Sequence, residues 1–141
     1  MKKKFIQLYM KMAILISELS HCERRKVGCV IVKDDRVISF GYNGTPAQWD
    51  NVCEDEDGNT KSEVMHSESN ALSKLAKCNE SGQDAILFVT TIPCMECAKL
   101  IKQSGIKEVY YLDKYRKSDG EDFLIKCGIT PLKVELDEKN M

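Results

Sequence analysis

The chain has 141 residues, 43% of them hydrophobic and 30% charged, proportions that fit one globular domain over 1–141 and exclude a second independent core. A chain of this length buries about 68–70% of its unfolded surface, so a packed interior is expected without disulfide staples. Twenty-one Lys and Arg against 22 Asp and Glu give a net charge of −1, so no general attraction to nucleic acid is built into the composition.

The first segment, MKKKFIQLYMKMAILISEL, starts basic and is apolar. Gln7, Lys11 and Glu18 interrupt it and no small-residue cleavage site follows, so neither a secretory leader nor a membrane span is expected. Phe5, Leu8, Tyr9, Met12, Ala13 and Ile16 instead recur at helical spacing and predict an amphipathic helix. Seven cysteines without an export signal fit a disulfide framework poorly: a cytoplasmic, reducing location is expected, with metal binding or catalysis as their use.

VGCVIV (27–32) and VISFGY (37–42), split by Lys33-Asp34-Asp35-Arg36, predict a β-hairpin. GYNGTP and the following Gly-, Asn- and acid-rich residues form a long loop with no period. From His66 a second helix carries an apolar stripe at Ala71, Leu72, Leu75 and Ala76. AILFVTT (85–91), PCMECAKLIKQSG (93–105) and IKEVYYL (106–112) read as strand, helix and strand, which implies a parallel crossover. EDFLIKC as a helix and PLKVEL as a last strand complete an α-β-β-α-β-α-β-α-β order. One mixed central sheet of about five strands, covered by helices, follows from that alternation.

Chemistry concentrates in His66-Ser67-Glu68 and Pro93-Cys94-Met95-Glu96-Cys97. Cys94 and Cys97 are three apart on one helix, so both sulfurs share a face, and the exposed N–H groups of a helix start favour thiolates. With His66 at the start of another helix, an N/S/S set describes a catalytic zinc with one position left for water. Cys78 lies roughly 18 Å along the helix from His66 at about 1.5 Å per residue and closes that position poorly; Cys29 and Cys127 remain open as fourth ligands. HSE…PCMEC has the form H-x-E…P-C-x-x-C, in which the Glu carries protons and is not a ligand. Glu68 is therefore the expected catalytic acid/base, with the Cys94 N–H supporting developing charge. The competing readings are a redox CxxC, a structural zinc site, and a Glu that only answers a helix dipole.

These residues resemble the deoxycytidylate (dCMP) deaminase family of the cytidine/deoxycytidylate deaminase superfamily. The likeness runs from about Met12 to the carboxyl end and takes in Ser20-His21-Cys22-Glu23-Arg24-Arg25-Lys26-Val27-Gly28, Gly41-Tyr42-Asn43-Gly44-Thr45-Pro46 and Ile106-Lys107. The GYNG-x-P segment discriminates most, because free-nucleoside cytidine deaminases usually lack it. The resemblance implies a three-layer α/β/α cytidine-deaminase-like fold and zinc-dependent hydrolysis of dCMP to dUMP and ammonia, supplying dUMP for thymidylate and dTTP synthesis. It implies that Asn43 binds the deoxyribose hydroxyl, Val27 lines the base pocket, Ser20 with Arg24 or Arg25 meets the 5′-phosphate, and Tyr115 closes over the substrate. A monophosphate needs such charge-assisted donors. The plainer alternatives are a solvated turn for Arg24, Arg25 and Lys26, and a simple Asn-Gly turn at Asn43.

The family is commonly a homo-hexamer, activated by dCTP with Mg²⁺ and inhibited by dTTP. By resemblance Gly41, Tyr42, Asn43 and Gly44 form part of that nucleotide site, where glycine N–H groups would cradle phosphate. Some relatives hold a second, structural zinc through positions matching Cys22 and Cys53; no histidine between Cys53 and Met65 completes it here, leaving His21 or an acidic loop residue. Ser67 stands where the family usually has Ala, and so does Cys29. The alternatives are a deaminase of another cytosine nucleotide such as dCTP or of a base in RNA, and a non-catalytic zinc-held interaction domain. No nucleic-acid-binding stripe and no membrane contact are expected.

Overall fold

The predicted alternation is realised as α1 (Lys3–Ser17), β1 (Gly28–Lys33), β2 (Arg36–Tyr42), α2 (Ser67–Lys74), β3 (Ile86–Thr91), α3 (Met95–Gln103), β4 (Glu108–Asp113), α4 (Asp119–Lys126) and β5 (Leu132–Lys133). These come from a computed structural model that describes residues 1–114 and 117–137. One five-stranded sheet has the order β2-β1-β3-β4-β5. β1 is antiparallel to both β2 and β3, whereas β4 is parallel to both β3 and β5, so the sheet is mixed as expected. Asp34 and Asp35 make the hairpin turn with φ of 52° and 60°, a left-handed pair that short polar side chains tolerate.

Successive residues of a strand point to opposite faces, and two buried clusters separate accordingly. On one face Cys29, Ile31, Leu87, Val89 and Val109 pack with Ala71 and Leu75, Ala98 and Ile101, and Leu124 from the α2, α3 and α4 regions. On the other, Val30, Val32, Phe88 and Tyr110 pack with Tyr9, Met10 and Ala13 of α1. The Phe88 ring lies between Tyr9 at 5.4 Å and Tyr110 at 4.9 Å. The result is the expected three-layer α/β/α arrangement. Gly28 permits the closest approach of the layers, because a Cβ there would strike the Ala13 carbonyl oxygen and the Ser17 nitrogen.

Three expectations need correction. The buried face of α1 is Gln7, Tyr9, Met10 and Ala13, while Leu8 is 47% exposed. Tyr9 and Ala13 are buried as expected and Phe5, Met12 and Ile16 pack against that cluster, so the correction is confined to Leu8, with Gln7 and Met10 added to the buried face. The second helix is α-helical only to Lys74, continues as one 3₁₀ turn over Leu75–Lys77, and leaves Ala76 exposed. The last strand pairs only at Leu132 and Lys133. Beyond them the Gln7 side chain takes over: its Nε2 donates to the Glu135 carbonyl at 2.7 Å and its Oε1 accepts from the Asp137 N–H at 2.8 Å. That pairing explains both a buried glutamine and a truncated strand. Among the described residues no helix is long and apolar enough to cross a membrane.

Candidate active site

Because β1 runs against both neighbours, its entry at Val27, the exit of β2 at Asn43 and the exit of β3 at Thr91 meet at one end of the sheet. Two helices begin there. His66 is the N-cap residue of α2 and Cys94 that of α3, both with extended backbone. His66 Nδ1 lies 3.5 Å from Cys94 Sγ and 3.3 Å from Cys97 Sγ. Tetrahedral zinc, with bonds of about 2.0–2.1 Å to nitrogen and 2.3 Å to sulfur, places N and S about 3.5 Å apart. All three candidate ligand atoms lie within 4.8 Å of one another, and the set fits zinc with a fourth position for water.

The electrostatics suit a cation. Hydrogen bonding from Cys97, helped by His66, pushes the Cys94 thiol down to about 3. Cys97, hydrogen-bonded to that sulfur and buried, is pushed up. The His66 imidazole is raised, first by its hydrogen bond with Cys94. Glu68, on the first turn of α2, is 4% exposed; burial raises its carboxyl, opposed chiefly by the Ser67 hydroxyl, which donates to Oε1 at 2.7 Å.

These residues line a cavity of about 510 Å³, within the usual range of about 300–1,000 Å³ for small-molecule sites. Arg24, Arg25, Val27 and Asn43 are on its walls. Ser20 is not. It is 3% exposed, its hydroxyl donates to the Asn43 carbonyl at 2.8 Å, and it accepts the Cys22 N–H at 3.2 Å. Asn43 itself clasps the loop before β1: Oδ1 accepts the Val27 N–H and Nδ2 donates to the Arg25 carbonyl, each at 2.8 Å. Tyr115 lies outside the described residues. Thr91, Pro93, Lys117 and Asp119 are cavity residues that sequence reasoning missed. Pro93 was quoted only as part of a motif; Lys117 carries no pattern that would have flagged it.

The expected phosphate cradle at Gly41, Tyr42, Asn43 and Gly44 is built differently. Gly41 is within β2 opposite Cys29, the Asn43 N–H donates to the Val27 carbonyl, and Gly44 exchanges both backbone bonds with Met65. The Asn43 and Gly44 amides therefore serve the fold and do not form an open nest. Cys22 and Cys53, expected as ligands of a second zinc, are joined as a disulfide. In that form they offer no thiolate, although a Glu54 carboxylate oxygen lies within 4.8 Å of both sulfurs. The expectation that all thiols stay free is corrected for this pair; the other five cysteines are free.

Residues 3–113 match the family model for the cytidine and deoxycytidylate deaminase zinc-binding region. The deoxycytidylate deaminase of Saccharomyces cerevisiae is 39% identical over 92% of this chain, which spans 45% of that relative. ComE operon protein 2 of Bacillus subtilis is 36% identical over 94% of this chain and 72% of its own length. The crystal structure of dCMP deaminase from the cyanophage S-TIM5, in complex with dCMP and dUMP, superposes with a TM-score of 0.93 at 45% identity, covering 95% of this chain and 99% of that one.

Proposed function

Because the chain belongs to the cytidine and deoxycytidylate deaminase family, we propose that it is a zinc-dependent enzyme that hydrolyses dCMP to dUMP and ammonia. The observation that carries the reading is the His66, Cys94 and Cys97 set at zinc spacing with buried Glu68 on the same cavity. Zinc bound there would bring the pKa of a water toward about 7. Two thiolates neutralise much of the ion's charge, so a base beside it is needed, and Glu68 is that base. Its carboxylate takes one proton of the water that adds to carbon 4 of the pyrimidine and passes it to ring nitrogen 3, then takes the second proton from the resulting carbon-4 hydroxyl and delivers it to the amino group, which leaves as ammonia while that oxygen becomes the carbonyl. Burial suits this cycle, because it raises the carboxyl's hold on a proton in transit.

Val27 forms the wall for the base. Asn43 holds the β1 entry loop and presents its remaining acceptor capacity to a sugar hydroxyl. Arg24, Arg25 and the newly placed Lys117 supply cations at the cavity for a 5′-phosphate. Regulation by dCTP with Mg²⁺ and by dTTP, assembly as a hexamer, and delivery of dUMP to thymidylate synthesis complete the proposal.

Comparing kcat/KM for dCMP, deoxycytidine and dCTP, each with and without dCTP or dTTP as effector, tests the substrate. The phosphate contacts predict dCMP over deoxycytidine by about a hundredfold. Equal values would remove the phosphate site, and a preference for dCTP would transfer the assignment to the triphosphate.

A further inference from the structure

Ser67 is fully buried, and its hydroxyl lies 2.7 Å from Oε1 of Glu68. An isolated carboxylate turns freely about its last torsion, and its two oxygens are interchangeable. Here they are not. Ser67 is the first residue of α2, its backbone is fixed between N-cap His66 and the helix, and its carbonyl oxygen packs close to Gly41 of β2. We propose that Ser67 is the positioning residue of the proton carrier, anchoring Oε1 of Glu68 so that the other oxygen alone serves the water and the pyrimidine ring.

What Ser67 contributes is pre-organisation. A carboxylate that must receive a proton from one position and deliver it to another performs best when neither oxygen has to be found by rotation. The hydroxyl borders the cavity but is fully buried, and its hydrogen bond closes within two adjacent residues. Ser67 touches neither substrate nor metal in this scheme and acts only through Glu68. The inference rests on the assignment of Glu68 as proton carrier.

The test is steady-state kinetics on dCMP for the wild-type protein, Ser67→Ala, Glu68→Gln and the double variant, with zinc content and thermal unfolding measured on each. Ser67→Ala is expected to lower kcat about tenfold with KM changed less than about twofold and zinc retained, the signature of an interaction used in the chemical step. In the Glu68→Gln background the same change is expected to add nothing. A kcat within about twofold of wild type, a loss confined to KM, or an equal further loss in the Glu68→Gln background would overturn the proposal. Full turnover by Glu68→Gln alone would fail the underlying assignment, and is read from that single variant without reference to Ser67.

Discussion

Cys22 on the cavity wall and Cys53 in the long loop are 31 residues apart in sequence and bonded in the structure, while Glu54 beside them accepts the N–H groups of Glu23 and Arg24. Together they fasten the segment bearing Arg24 and Arg25 to the loop that leads to His66. Titrating thiols in denaturant with chelator is expected to give five per chain before reduction and seven after. Seven before reduction would contradict the disulfide and return the pair, with Glu54, to the role of second-metal ligands. At this scale the zinc set was legible because its information is local: a helix start and an i, i+3 spacing fix where three donors point. The roles of Ser20, Cys22 and Asn43 were not, since each depends on a loop folding back through the Gly44–Met65 and Glu54–Thr60 bridges. A compartment argument about cysteines in bulk does not say which two will meet.

Between elements, the junction of α2 with β2 governs the site. Asn70 Nδ2 donates to the Tyr42 carbonyl at 3.0 Å, the Ser39 hydroxyl to the Ala71 carbonyl at 2.6 Å and Lys74 Nζ to the Phe40 carbonyl at 2.7 Å. Gly41 lies under this seam: a Cβ there would stand 2.7 Å from both the Ala71 nitrogen and the Ser67 oxygen, backbone atoms that cannot turn aside. Gly41→Ala is expected to destabilise the fold by about 1–3 kcal/mol, read from urea unfolding. It is also expected to lower turnover, because the displaced Ser67 carbonyl lies between His66, the proposed metal ligand, and Glu68, the proposed proton carrier. Unchanged stability and kcat would contradict the close packing described. The sequence suggested a phosphate-cradling glycine at this position; its use is helix contact, and pattern alone does not distinguish a glycine needed for a ligand from one needed for a neighbouring helix. The shortened β5 has a similar origin, since no strand propensity reports that Gln7, 128 residues away, will capture the chain.

Across the whole molecule, the sheet divides labour between its faces. The α1 face carries Phe88 and its ring partners, whereas the other face brings α2 and α3 together so that both begin at the same sheet end. The antiparallel β1–β2 hairpin then delivers Val27, at the entry of β1, and Asn43, at the exit of β2, to that end, where the exits of parallel strands conventionally leave a crevice. The architecture was legible because alternating helix and strand signals admit few sheet orders; the contribution of Lys117 was not, because it follows from where α4 docks and from no motif. The proposed activity of the whole molecule is zinc-dependent deamination with Glu68 moving the proton. Ammonia release from dCMP by the wild-type protein and Glu68→Gln, each loaded with one zinc per chain, tests that most directly. Turnover by the wild type and a loss of about 10²–10⁴-fold in the folded, zinc-bound variant are predicted; no ammonia from the wild type, or equal release by both, would contradict it.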